Sequence, residues 1–206
     1  MTFFEVLLQK YGTNEPILSS EIEYRNYSRP WILKQLNRLC EEGKIIRFEK
    51  GVYYIPTQTP FGPSLLSPQK VIERKYITPP EGTAGFYSGL TVQNRLRLTT
   101  QVPNVVEVYT NNETTRVREI TVGKQKVMLR RSRTRVTDAN AAVLCFLELM
   151  NDLDPAELDA EKKKILADFV KNRGITRSDI AAYAPFYPDK AMRTLVESEA
   201  IYSVQA

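Results

Sequence analysis

The protein has 206 residues, of which 42% are hydrophobic and 26% charged, and its formal net charge is +5. These values are ordinary for a globular protein of one or two domains. Histidine is absent, which excludes catalytic triads, His-Glu-x-x-His zinc sites and imidazole pH switches. No apolar run approaches the roughly 18 residues of a membrane-spanning helix, and the N-terminus lacks a basic signal segment, so we expect a cytoplasmic protein without membrane contact.

The first part of the chain predicts three helices. Apolar residues at helical spacing indicate a first helix that ends at Gly12. A short second helix is expected to begin near Ser19–Ser20, since either serine can cap it. The third helix is predicted from Pro30 to about Glu42, because Ser28 is a good N-cap and proline is tolerated in the first helical turn.

Two short β-type runs follow the third helix and are joined by a tight turn at Glu49–Gly51. Three helices and a two-stranded hairpin predict a winged helix-turn-helix over residues 1–57, with the third helix for recognition and the hairpin as the wing. Residues 58–67 are rich in proline and are expected to form the linker to a second domain over residues 68–206.

The third helix and the hairpin have chemistry suited to nucleic acid. Residues 24–40 hold four basic groups and no acid, and the major groove of DNA admits one α-helix. The predicted DNA-binding residues are Ser28, Arg29, Trp31, Lys34, Gln35 and Arg38 on the helix, with Arg47 and Lys50 on the hairpin. Trp31 could instead prop the helix against the core. A winged helix that serves only as a protein-interaction module is the alternative, and RNA binding is a third interpretation.

The second part of the chain predicts a mixed helical and β domain, so the whole protein is expected to be α/β (α+β). A helix is expected from Pro68, another within residues 85–96, and a strand near Val105. A hairpin turning at Gly123–Lys124 should follow. The most apolar helix of the chain is expected after a cap at Thr137–Asp138 and should form the core of this domain.

The predicted second hairpin, residues 116–135, holds eight basic residues and one acid, Glu119. It has three interpretations: a solvated edge strand protected from aggregation by charge, additional phosphate contacts, or a docking surface for an acidic partner. The candidate partner-binding residues are Arg130, Arg131, Arg133 and Arg135.

Catalysis is not expected. No glycine-rich phosphate loop is present, and the Glu-x-Lys matches at Glu73–Lys75 and Glu161–Lys163 lie in predicted helical surface instead of strands. Cys40 and Cys145 lie in apolar helical patterns and are expected to be buried thiols, not metal ligands or a disulfide. We therefore predict no enzyme activity, no cofactor and no metal.

The stretches GVYYIPTQTPFGPSLLSPQKVI and FYSGLTVQNRLRLTTQVPNVVEVYTN resemble the AbiEi-type antitoxin family of small bacterial regulators. The sequence departs from that family at Arg97, where glycine is usual. The resemblance implies a winged helix that binds double-stranded DNA of its own promoter and represses its operon. It also implies a C-terminal domain that counters a nucleotidyltransferase-like toxin, directly or indirectly, as in type IV toxin–antitoxin systems. A free-standing regulator without a toxin is the alternative.

Overall fold

The computed structural model describes residues 1–204 and has the mixed α/β fold that the sequence predicts. The α-helices are α1 (Phe3–Tyr11), α2 (Arg29–Glu41), α3 (Pro68–Ile72), α4 (Gly89–Arg95), α5 (Ala141–Asp152), α6 (Ala160–Arg173), α7 (Arg177–Tyr183) and α8 (Asp189–Glu197). The strands are β1 (Ile17–Leu18), β2 (Ile46–Glu49), β3 (Val52–Tyr54), β4 (Gln58–Thr59), β5 (Gly62–Pro63), β6 (Gly85–Tyr87), β7 (Val105–Thr110), β8 (Val117–Val122) and β9 (Gln125–Arg131). No helix of this described part is long and apolar enough to cross a membrane.

The chain divides into two compact units. The first comprises Met1–Arg74 with Val122–Lys124, and the second comprises Lys75–Thr121 with the residues from Gln125 onward. The division after Arg74 differs from the linker predicted at residues 58–67. The reason is that the segment after the prolines is bonded to the first unit: the Lys70 ammonium donates to the Asn14 carbonyl at 3.1 Å, and Arg74 pairs with Glu21 at 2.7 Å.

In the first unit, α1 ends where the sequence predicts. Thr2 and Glu5 form a capping box at its start, and the backbone N–H of Gly12 donates to the Leu8 carbonyl at its end. The predicted second helix is wrong in part. Strand β1 pairs with β3, and only a 3-10 turn, Ser19–Glu21, follows it without a side-chain cap. Strand pairing here prevails over the local helix signal.

Helix α2 lies on a three-stranded sheet of order β1-β3-β2. Its apolar residues Ile32, Leu36 and Leu39 are buried together with residues of α1, β1 and β3 in one core. Ser28 occupies the N-cap position, as predicted, but its side chain makes no capping hydrogen bond. Strand β3 is the central strand of this sheet, and all three of its residues are buried.

The predicted linker contains structure of its own. Strands β4 and β5 form a small antiparallel hairpin whose loop exposes the side chain of Phe61 completely. The residues that precede the hairpin are bonded to Asn14: its side-chain amide donates to the Thr57 hydroxyl at 2.8 Å, and its backbone N–H donates to the Ile55 carbonyl at 2.8 Å.

The second unit contains a four-stranded sheet of order β6-β7-β9-β8, in which β7 and β9 are parallel. The hairpin turn predicted at Gly123–Lys124 is confirmed, since β8 ends at Val122 and β9 begins at Gln125. Helix α5 is buried almost completely and forms the core with α6, α7 and α8, as expected for the most apolar helix. Its N-cap is Asn140, not Thr137–Asp138. The helix expected within residues 85–96 is a strand, β6, followed by the shorter α4.

Candidate nucleic-acid interface

Ser19 connects the start of α2 to the turn of the β2–β3 hairpin. Its backbone N–H donates to the Gly51 carbonyl at 2.8 Å, and its carbonyl and hydroxyl accept hydrogen bonds from the two terminal nitrogens of Arg29. Ser19 is only 5% exposed. The first turn of α2 and the Lys50–Gly51 turn therefore lie at the same end of the first unit, with a buried residue between them.

Arg29 has a structural role in this arrangement in addition to the predicted DNA contact, which stays a prediction. Two nitrogens of its guanidinium donate to Ser19, and the side chain is exposed, so these bonds orient it at the surface. Sequence alone offers no sign of this bond, because its acceptor lies ten residues earlier in a segment predicted to be helical.

Trp31 props the helix against the core. Its ring packs edge-on against Phe3 at 5.7 Å and lies parallel to Tyr24 and Tyr27, with centroid distances of 5.7 and 4.0 Å. Of the two roles that the sequence allows for Trp31, packing is the one the structure contains. Gln35 is half-buried beside it, one turn further along the helix.

The exposed face of α2 centres on Lys34. Leu33, Lys34, Asn37 and Arg38 are exposed, and the acid nearest to them on the helix is Glu41 in its last turn. Arg38 forms an i,i+4 ion pair with Glu42 at 2.8 Å, and Lys44 also pairs with Glu42 at 2.8 Å. Hydrogen bonds from Lys44 and then Arg38 lower the pKa of Glu42. Such solvent-exposed pairs are weak, so Arg38 remains free to exchange Glu42 for a phosphate.

The β2–β3 hairpin presents two basic residues. The pairing shifts register between Arg47 and Glu49, and this irregularity increases the local twist next to the turn. Gly51 has φ +81°, a conformation that favours glycine, and Lys50 is exposed beside it. Arg47 is also exposed, and its Nε donates to the Glu49 carbonyl at 3.4 Å. Both predicted hairpin residues are thus accessible.

Three residues that the sequence prediction omitted lie on or next to this surface: Arg25, Tyr27 and Asn37. Asn37 is exposed three residues after Lys34, and an asparagine amide can bond adenine in the major groove. The helical period alone places it on the same face, so this residue could have been found from sequence. Arg25 and Tyr27 precede the helix, where no period applies.

The comparisons with known proteins give one finding. The model of DUF6088, described as a family of unknown function, matches residues 17–176. The chain belongs to the DUF6088 family. The DUF6088 match includes β1, α2, the three hairpins β2–β3, β4–β5 and β8–β9, and α5. No curated protein matches the chain.

The basic hairpin of the second unit contains two arginines that pair with carboxylates of the same unit. Arg130 bonds Glu107 through Nε and Nη2 at 3.3 and 3.1 Å, and Arg133 bonds the Oε1 atom of Glu148 at 3.2 Å. Glu148 lies in the middle of the buried helix α5 and is 1% exposed. Arg131, Arg133 and Arg135 are exposed, and Arg130 is half-buried. Of the four candidate partner-binding residues, Arg130 and Arg133 therefore neutralise carboxylates within the unit, while three of the four remain accessible to solvent.

The pKa values of the second unit reflect this burial. Burial, and secondarily the neighbouring Glu148, raises the pKa values of Tyr109 and Tyr187. Burial also raises the pKa of Cys145 to about 12, which makes that thiol unreactive. Both cysteines are free, and within residues 1–204 no group of three or more Cys, Asp or Glu side chains could hold a metal ion.

Proposed function

We propose that this DUF6088 protein is a DNA-binding transcriptional regulator that represses its own operon. In this proposal the first unit is a winged helix-turn-helix in which α2 enters the major groove and the β2–β3 hairpin contacts the neighbouring phosphates. The protein acts in the cytoplasm on double-stranded DNA, without a cofactor and without catalysis.

The observation that supports the proposal best is the Ser19 connection. It brings the N-terminal turn of α2 next to the exposed Lys50, and the N-terminal residues of a recognition helix are the ones that approach base edges. The exposed face of α2 supplies an ammonium and an amide, Lys34 and Asn37, which suit guanine and adenine.

The test is a binding titration with DNA from the protein's own promoter at several salt concentrations. Lys34→Ala and Asn37→Ala should each weaken specific binding by about tenfold, since a good base contact is worth roughly 1–3 kcal/mol. Lys50→Ala should weaken binding to all sequences and reduce the salt slope by about one. Lys164→Ala is the matched control, because Lys164 is an exposed lysine of α6 in the second unit. Equal affinity of the Lys34, Asn37 and control variants would refute the assignment of α2.

We further propose, on the resemblance to AbiEi-type regulators, that the protein is the antitoxin of a type IV system. Its partner is then a nucleotidyltransferase-like toxin, countered directly or through shared nucleic acid. The exposed Arg131 and Arg135 support the second unit as the part involved, because a nucleic acid or an acidic surface is attracted to them. Growth of cells that express a cognate toxin should be rescued by the wild-type chain, and less well by Arg131→Glu/Arg135→Glu. Full rescue by the double variant would exclude this surface.

A further inference from the structure

A stack of three aromatic rings precedes and supports α2. The ring of Tyr27 lies flat on Trp31, with centroids 4.0 Å apart and planes 12° apart, and Tyr24 is parallel to both. Phe3 holds the inner rings by edge-on contacts with Tyr24 and Trp31. Tyr27 is the outer member and is 46% exposed. Trp31 therefore covers one face of the Tyr27 ring, and nearly half of the residue is open to solvent.

The open ring lies in line with the exposed face of α2. On a helix with 3.6 residues per turn, Trp31, Lys34 and Arg38 follow one another on the same side. Because Tyr27 stacks on Trp31, it extends that row beyond the N-terminus of the helix. The exposed Arg25 precedes it, with its guanidinium 5.1 Å from the Tyr24 ring centroid. The charge around the ring is thus suited to a polyanion, whereas the ring itself is apolar.

If α2 enters the major groove, the apolar ring of Tyr27 can contact one kind of apolar group there. The base edges in this groove present hydrogen-bond donors and acceptors, and the C5-methyl of thymine is their apolar group. We propose that the exposed face of Tyr27 packs against a thymine methyl and makes the protein specific for thymine at one position of its operator. This inference rests on the proposed function, since it names a contact within the same DNA interface.

Leu33 is the competing candidate for the same chemistry. It is exposed on α2 and is apolar, so it could also contact a thymine methyl. The stacked ring is favoured because its position is fixed by two neighbouring rings, whereas a leucine on a helix surface must lose rotamer freedom on binding. The experiment separates the two residues.

The experiment replaces each thymine of a bound promoter fragment by deoxyuridine, which lacks only the methyl group. For the wild-type chain, at least one replacement should lower affinity by about fourfold, the value of one buried methyl group. Tyr27→Ala should bind the thymine-containing fragment more weakly than the wild type does. Its affinity should not fall further when that thymine is replaced by deoxyuridine. Tyr27→Phe should behave as the wild type, because the hydroxyl is not used. Trp31 is the single tryptophan of the chain, so its fluorescence, with circular dichroism, reports whether each variant keeps the fold.

Three outcomes overturn the inference. The first is that the wild type binds DNA but no deoxyuridine replacement changes its affinity. The second is that Tyr27→Ala stays as sensitive as the wild type while Leu33→Ala becomes insensitive, which assigns the contact to the helix. The third is that the wild type binds no promoter DNA at all, and this outcome alone also refutes the proposed function.

Discussion

Arg97 has a left-handed backbone conformation, with φ +64°, directly after α4. A side chain with a Cβ atom is strained there by roughly 1–2 kcal/mol, whereas glycine is not. The conformation marks Arg97 as a place where this chain is less stable than it could be.

We therefore expect Arg97→Gly to raise the free energy of unfolding by up to about 1 kcal/mol, after the greater chain entropy of glycine is subtracted. Urea denaturation of the variant and the wild type measures this difference. Arg97→Ala is the control, because alanine removes the charge and keeps the strain. If alanine stabilised the protein as much as glycine, the gain would come from the lost arginine charge and not from φ.

Glu113 is a buried carboxylate with several donors around it. It accepts hydrogen bonds from the backbone N–H groups of Thr114 and Thr115, at 2.9 and 3.0 Å, and from the Thr115 hydroxyl at 2.8 Å. Arg118 pairs with its other oxygen at 2.8 Å. The bond from the Thr115 N–H is the main cause that lowers the pKa of Glu113, and its burial acts in the opposite direction.

Because the pKa of Glu113 is lower in the folded state, its ionised form stabilises the fold above the ordinary glutamate pKa of about 4.3. That contribution is lost as the pH falls through the lowered value. Glu113→Gln should thus be less stable than the wild type at pH 7, and the difference should shrink on acidification to pH 3. Glu119→Gln is the control, since Glu119 is exposed and its ion pair with Lys126, at 3.6 Å, is weak. A difference that did not change with pH would contradict the assignment.

At the scale of the element, α2 and its hairpin illustrate what the sequence can predict. The amphipathic period of residues 30–42 predicts the buried face of α2, and the turn at Glu49–Gly51 predicts the hairpin. Local pattern does not predict the strand at Ile17–Leu18, because β1 forms only by pairing with a distant strand, as in the register Ile17↔Tyr53. For the same reason, the bond between Ser19 and Arg29 cannot be predicted from the sequence, and the DNA contact predicted for Arg29 stays a prediction.

Arg29 and Lys34 of α2 should consequently behave differently. Arg29→Ala should lower the free energy of unfolding by about 2 kcal/mol, since it removes charge-assisted hydrogen bonds to a buried serine. Lys34→Ala should leave stability unchanged and weaken DNA binding. Thermal unfolding and binding titration of both variants measure the contrast. Equal stability of the two variants would show that the Ser19 contact contributes nothing.

For the whole molecule, part of the positive charge of the second hairpin is neutralised by acids of the same unit. The sequence counts eight basic residues in the second hairpin, but the acids that pair with Arg130 and Arg133 lie elsewhere in the chain, in β7 and α5. A count of basic residues in one segment therefore overstates the positive charge that the segment offers to a partner. The same limit applies to the predicted boundary at residues 58–67, since the bonds of Lys70 and Arg74 to the first unit connect residues more than fifty positions apart.

The pairing of Arg133 leads to the clearest contrast within the basic hairpin. Arg133→Glu should destabilise the second unit by about 3 kcal/mol or more, because it leaves the buried Glu148 unpaired and places a second negative charge beside it. Arg135→Glu makes the same charge change two residues away on an exposed side chain and should cost less than about 0.5 kcal/mol. Urea denaturation of both variants measures the difference.

Arg133→Met with Glu148→Leu should recover much of the loss, since buried ion pairs can often be replaced by apolar residues of similar volume. Equal stability of the two glutamate variants would mean that Arg133 and Glu148 do not depend on each other.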